Sequence, residues 1–183
     1  MCRRLLQLLL SMSKKTRRIT LAAVFTALTV ISLYLTNILP TVRLGFAAAA
    51  SLFAVAAVIE TGIVSAIFVF IGSSVISALL LPDKTAVLLY VLFFGYYPVI
   101  KSLAEKFRSK LPNWALKLVV FEAAFTLIWF LFRSLIFDAK VLEIPVLLVY
   151  LIATLAFLAF DIGLTRLIGF YIYRISKNTR KNI

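Results

Sequence analysis

Six apolar stretches, near residues 19–39, 44–59, 62–81, 86–103, 114–137 and 144–173, follow one another with only short polar breaks between them. A bilayer core takes about 20 consecutive apolar residues in helical form. Open sheet edges and lipid-facing irregular chain are barred there, because every backbone N–H and C=O must be paired without water. The pattern therefore predicts an all-α integral membrane protein, a bundle of six transmembrane helices. Composition points the same way: 63% of the 183 residues are hydrophobic and 15% charged. A soluble domain averages about 45–50% and about 25%.

Prolines 40, 82 and 145 mark turns on one side of the membrane, and Pro112 lies in the loop before span five. Spans two and three are separated only by Glu60, Thr61 and Gly62, which predicts a tight helical hairpin. Within span four, "FFGYYPVIK" places Gly95 and Pro98 inside an apolar run. Pro98 lacks the amide that would reach the Phe94 carbonyl, so a bend is expected there, eased by Gly95. Tyr97 is the hydroxyl expected to meet the freed backbone.

Lysine and arginine set the expected orientation. Arg3, Arg4, Lys14, Lys15, Arg17 and Arg18 precede span one. Lys101, Lys106, Arg108, Lys110 and Lys117 flank the loop between spans four and five, and Arg174, Lys177, Arg180 and Lys181 close the chain. The opposite side has only Arg43, Lys84 and Lys140, with Arg133 just inside its boundary. Both termini are thus expected in the cytoplasm: a basic tail over 1–18, a membrane domain over 19–173 and a second basic tail over 174–183. The opening "MCRRLLQLLLSM" has a basic start, but its apolar part, 5–10, is too short for a signal peptide, and it reads as tail. A start at Met12 would leave a conventional "MSKKTRR" beginning.

The net charge of +13 raises nucleic acid as a partner. The basic residues lie in loops between apolar runs, with no soluble domain to carry them, so none is expected and the bilayer is the surrounding partner. The single cysteine, Cys2, and the absence of histidine exclude disulfide frameworks, thiolate clusters and imidazole catalysis. No zinc-protease or nucleophile-elbow pattern occurs. No enzymatic activity, cofactor or metal is expected.

Two kinds of helix face carry the remaining information. Ala23 and Ala27 stand four apart in span one with Thr16 and Thr20 along the same face, which suits close approach of another helix. Spans two and three are rich in Ala, Ser and Gly, which reads as internal packing. Spans four to six each carry one aromatic and polar stripe at helical spacing: Tyr90, Phe94, Tyr97 and Lys101; Glu122, Thr126, Trp129 and Arg133; Tyr150, Thr154, Phe157, Asp161 and Thr165. Charged side chains at membrane depth face a bundle interior or a wet cavity. Lys101, Glu122, Asp161 and Arg166 form an inner zone, open to two readings: a neutralising charge network, or proton coupling through a carboxyl that basic neighbours would disfavour. Tyr90, Phe94, Trp129, Arg133, Tyr150 and Thr154 form an outer zone, either an interfacial aromatic belt or a pocket wall.

With its size, six spans, cytoplasmic termini and the opening "RRITLAAVFTAL", where Ala23 and Ala27 match an A-x-x-x-A motif in helix one, the chain resembles the substrate-binding S components of energy-coupling factor (ECF) vitamin transporters. The resemblance implies a multi-pass protein of a bacterial or archaeal plasma membrane that captures a vitamin or related micronutrient from outside. It implies a pocket from helices four to six, here Tyr90, Phe94, Tyr97, Trp129, Arg133, Tyr150 and Thr154, closed by the loops after helices one and three. Ala23 and Ala27 would meet a transmembrane coupling subunit. Two ATPase subunits would act in trans, since this chain has no phosphate-binding glycine loop. The loop holding Asn37 and Arg43 is shorter than the family's usual lid. The competing reading is an MreD-like scaffold of the bacterial envelope, in which the stripes serve only packing.

Overall fold

The computed structural model describes residues 2–106, 109–136 and 145–181, with side chains over 15–39, 41–106, 109, 111–130 and 145–173. These residues are helical without strands, and six helices are long and apolar enough to cross a membrane: Lys15–Ile38, Arg43–Thr61, Ile63–Leu80, Thr85–Ala104, Leu111–Phe130 and Val146–Tyr173. In chain order the elements are α1 (Cys2–Ile38), a 3₁₀ turn (Pro40–Val42), α2 (Arg43–Thr61) and α3 (Ile63–Leu80). They continue as α4 (Thr85–Leu89), a π turn (Tyr90–Phe94), α5 (Tyr97–Ala104), α6 (Lys110–Ile136) and α7 (Val146–Lys181). The basic residues before span one belong to α1 itself, and α7 carries the chain on through Lys181. Two compact units result, Met1–Val120 and Phe121–Ile183.

In the first unit α1 packs most extensively on α2, then on α3. Small residues allow this: Ala47, Ala50, Ala54 and Ala57 of α2 are fully enclosed, as is Ala66 of α3. Close helix approach in lipid depends on such residues because no water expulsion drives association. The α2–α3 hairpin turns on Gly62 alone, at φ +91°, a backbone conformation open to glycine without steric cost. Its amide donates to the Val58 carbonyl at 3.1 Å and its carbonyl accepts from Ala66. Both helices are thus tied off across one residue. Ala57, Ala66, Val69 and Val99 form one apolar cluster beside this turn, with Ala22 and Phe25 of α1 packed on it.

Span four is the most enclosed helix of this unit, with 56% of its apolar window buried against 22–39% for spans one to three. It is also discontinuous. The Gly95 amide donates to the Tyr90 carbonyl at 2.7 Å, an i to i+5 bond that widens the helix into a π turn. A fresh helix, α5, starts at Tyr97 with Pro98 in its first turn, where a missing amide costs nothing. The bend expected at Pro98 is therefore a break spread over 90–97, and discontinuity that periodicity alone does not reveal is present. Tyr96 meets the loosened backbone: its hydroxyl donates to the Leu92 carbonyl at 2.7 Å.

Gly95 has ordinary helical angles, φ −74° and ψ −42°, so conformational freedom is not its role. A Cβ there would lie 2.6 Å from Phe70 Cε2 and 2.8 Å from Tyr90 Cε1. Glycine lets the Phe70 ring of α3 press against the break, between Tyr90 at 5.9 Å and Tyr96 at 6.2 Å between ring centroids.

The second unit pairs the later part of α6 with α7 through rings. Phe121 stacks on Phe157 at 4.4 Å and 9°, and Tyr150 meets Phe125 edge-on at 4.9 Å. Such offset and edge-on pairs add about 0.5–1.5 kcal/mol beyond burial alone.

Candidate functional site

The span-four stripe is enclosed except at Phe94. Tyr90 and Tyr97 have no exposed surface and Lys101 has 1%. Tyr90 belongs to a cluster with Leu33, Ala50, Leu81 and Val87, against which Phe94 is half-buried. The Ser73 hydroxyl donates to the Val69 carbonyl at 2.7 Å and shares a 3.0 Å hydrogen bond with the Tyr90 hydroxyl. Thr29 of α1 adds a second hydroxyl beside the same phenol. Tyr97 tilts against Phe93 at 5.0 Å. Three helices thus hold the tyrosine at the start of the break.

The second stripe is a ladder of hydroxyl bonds beside stacked rings. Tyr150 donates to Thr126 at 3.0 Å. Thr154 donates to Glu122 Oε1 at 2.7 Å and lies 2.8 Å from the Tyr150 carbonyl, so one proton serves two acceptors. Trp129 is 3% exposed and stacks near Phe125 at 6.4 Å. The side chain of Arg133 lies outside the described residues. Within this unit the structure brings together Glu122, Thr126, Trp129, Tyr150 and Thr154, with Phe121, Phe125 and Phe157 between them.

Lys101 Nζ pairs with Glu105 at 3.0 Å, one helical turn along α5. Lys117, itself buried, reaches the same carboxylate oxygen at 3.5 Å and lies 5.4 Å from the Trp114 ring centre. Asp161 is buried, Glu122 takes the Thr154 hydroxyl, and Arg166 is exposed. Glu105, absent from the expected network, thus reaches two enclosed lysines.

A polar cluster unanticipated from sequence ties the turns around Pro40 and Pro82. Arg43 Nη2 pairs with Asp83 Oδ2 at 3.0 Å. Asp83 Oδ1 accepts the Thr85 amide at 2.9 Å, and the Asp83 amide donates to Asn37 Oδ1 at 3.1 Å. Burial pushes the Asp83 carboxyl up, but the Thr85 backbone and hydroxyl bonds and the Arg43 charge outweigh it and hold the group below its ordinary range. Lys84 Nζ closes the end of α3 on the carbonyls of Ala78 and Leu81. The available signal was the D-x-T spacing, since an aspartate that bonds the amide two residues on is a common turn device.

Ala23 and Ala27 are exposed, and so are Thr16 and Thr20; Ala22, Phe25 and Thr29 turn the opposite side of α1 inward. No protein-family model matches the chain, and no curated protein or solved structure matches it either.

Proposed function

We propose that the chain is the solute-binding membrane subunit of an ECF-type importer, seated in a bacterial or archaeal plasma membrane with both termini in the cytoplasm. The observation that carries this reading is the break in span four. An enclosed membrane helix interrupted by a π turn, beside buried tyrosines and hydroxyls, is the form in which membrane proteins expose polar backbone to a solute path. The charge asymmetry across the spans supports the orientation. The uncommitted alanine face of α1 supports a helical partner, the coupling subunit, with ATP hydrolysis in trans on two further chains.

In this reading a planar vitamin-like solute contacts Tyr90, Phe94, Tyr97, Trp129, Tyr150 and Thr154, with Arg133 pairing to an anionic or carbonyl group. The test is purification with and without ECF coupling subunits, followed by mass spectrometry of co-purified small molecules and an uptake assay. Partner-dependent uptake that falls in Trp129→Ala and Arg133→Ala supports the reading. Absence of partner binding, with uptake indifferent to both substitutions, sinks it.

One observation favours a second reading, the MreD-like scaffold. Tyr90 is satisfied by Ser73, Tyr150 by Thr126 and Glu122 by Thr154. Stripes whose polar atoms are answered within their own unit can serve packing alone. In that case no small molecule co-purifies under any partner condition.

A further inference from the structure

The cluster at the Pro40 and Pro82 turns carries more than a tie between helices. Asn37 Nδ2 and Arg43 Nε are both buried and have no hydrogen-bond partner among the described residues. The assignment of the Asn37 amide is secured by its neighbour: the Asp83 amide is a donor, so the atom facing it at 3.1 Å is the oxygen and the NH₂ points elsewhere. The Arg43 guanidinium spends its Nη2 on Asp83 at 3.0 Å, which leaves the Nε–H edge unanswered. An unsatisfied buried donor costs about 1–3 kcal/mol, more when charged.

Both donors belong to residues anchored on the same aspartate, and the charges do not cancel. Arg43 pairs with the carboxylate of Asp83, whose oxygens already accept from Arg43 and Thr85, while Lys84 next to it in sequence is bound to the Ala78 and Leu81 carbonyls. Among the described residues this cluster lacks an acceptor for the two donors, and its two cations against one carboxylate favour an anionic one.

The structure assigns an oxyanion site to this cluster: one oxygen of a carboxylate or phosphate is held by Arg43 Nε and Asn37 Nδ2, with Lys84 adding long-range attraction. Bonds from a charged donor to an anionic oxygen are roughly twice as strong as neutral ones. The Arg43 side chain is 38% exposed and that of Asp83 31%, so the cluster reaches the surface while its two open donors lie beneath. Thr41 and Val42, in the 3₁₀ turn leading into Arg43, are exposed. The site uses no residue of the span-four to span-six stripes, although its residues lie at the two loops that close the pocket in the import reading.

The same chemistry has two sources, a small soluble anion or the phosphate of a lipid headgroup. The full chain, purified in a phosphate-free maltoside, is titrated with inorganic phosphate, with acetate and with phosphatidylglycerol in mixed micelles, against chloride at matched ionic strength. Thermal unfolding is the readout. A saturable rise beyond the chloride control with phosphate or acetate identifies a soluble anion; a rise confined to phosphatidylglycerol identifies a headgroup.

Asn37→Leu and Arg43→Lys should each weaken the response at least about tenfold, the loss of one good hydrogen bond. Arg43→Lys is the sharper variant, because it keeps the charge beside Asp83 and removes the Nε donor. An unchanged response in that variant overturns the site, as does a wild-type response no larger than that to chloride. Arg43→Gln adds a neutral comparison, and the two other variants decide should it fail to fold.

Discussion

Gly95 gives its amide to the Tyr90 carbonyl at 2.7 Å while leaving room for Phe70 where a side chain would stand. Backbone and packing thus meet at one residue: the π turn needs the bond, and the ring needs the missing Cβ. Gly95→Ala should destabilise the protein by about 1–3 kcal/mol through overpacking, since Phe70 is held between two tyrosines. Unfolding in detergent micelles measures it, and adding Phe70→Leu should restore much of the loss. Full stability in Gly95→Ala alone would show that the ring moves freely.

The Tyr90–Ser73 bond is open to a double-mutant cycle. Interhelical hydrogen bonds in membrane proteins couple by roughly 0.6 kcal/mol on average. Tyr90→Phe and Ser73→Ala should each cost little, and the pair less than their sum, because Ser73 keeps its Val69 acceptor. Strict additivity would mean that the hydroxyls do not interact.

Thr154→Val should destabilise by about 1–2 kcal/mol, for it removes the donor that the Glu122 carboxylate uses within an apolar helix pair. Thr154→Ser keeps the hydroxyl and should stay near wild type. Chemical unfolding in mixed micelles separates them. Equal stability of the valine and serine variants would remove this bond from the account of Glu122.

Asp83 makes part of the stability depend on pH. Its folded carboxyl is held below the unfolded value of about 3.9. The contribution is therefore present above that value and fades as pH falls through the folded pKa. Because the pair with Arg43 is partly exposed, screening limits the effect to no more than about 1 kcal/mol. Asp83→Asn should flatten the acid limb of the stability curve below about pH 4 and leave its neutral part slightly lower. An acid limb identical to wild type would rule the carboxylate out.

The spans were legible because lipid imposes a length and a polarity on each segment. The Gly62 hairpin was legible too, since one residue between two apolar runs leaves no other connection. A bend near Pro98 followed from its missing amide, yet the sequence indicated neither its spread back to Tyr90 nor the use of Tyr96. Glu105 and Asp83 escaped notice for the same reason. Local spacing offered Lys101 four residues before Glu105 and Thr85 two after Asp83, but Lys117, Arg43 and Asn37 come from other elements, which spacing does not reveal.

By itself the sequence determined six helices and the inward turn of the small residues in α2 and α3, because these depend on local periodicity and on the solvent. Tertiary structure decided which hydroxyl answers which carbonyl, which carboxylate reaches the buried lysines, and why residue 95 must be glycine. Those outcomes depend on atoms brought within about 3 Å by residues far apart in the chain, a distance at which hydrogen bonds form and overlap begins. No one-dimensional pattern records that approach.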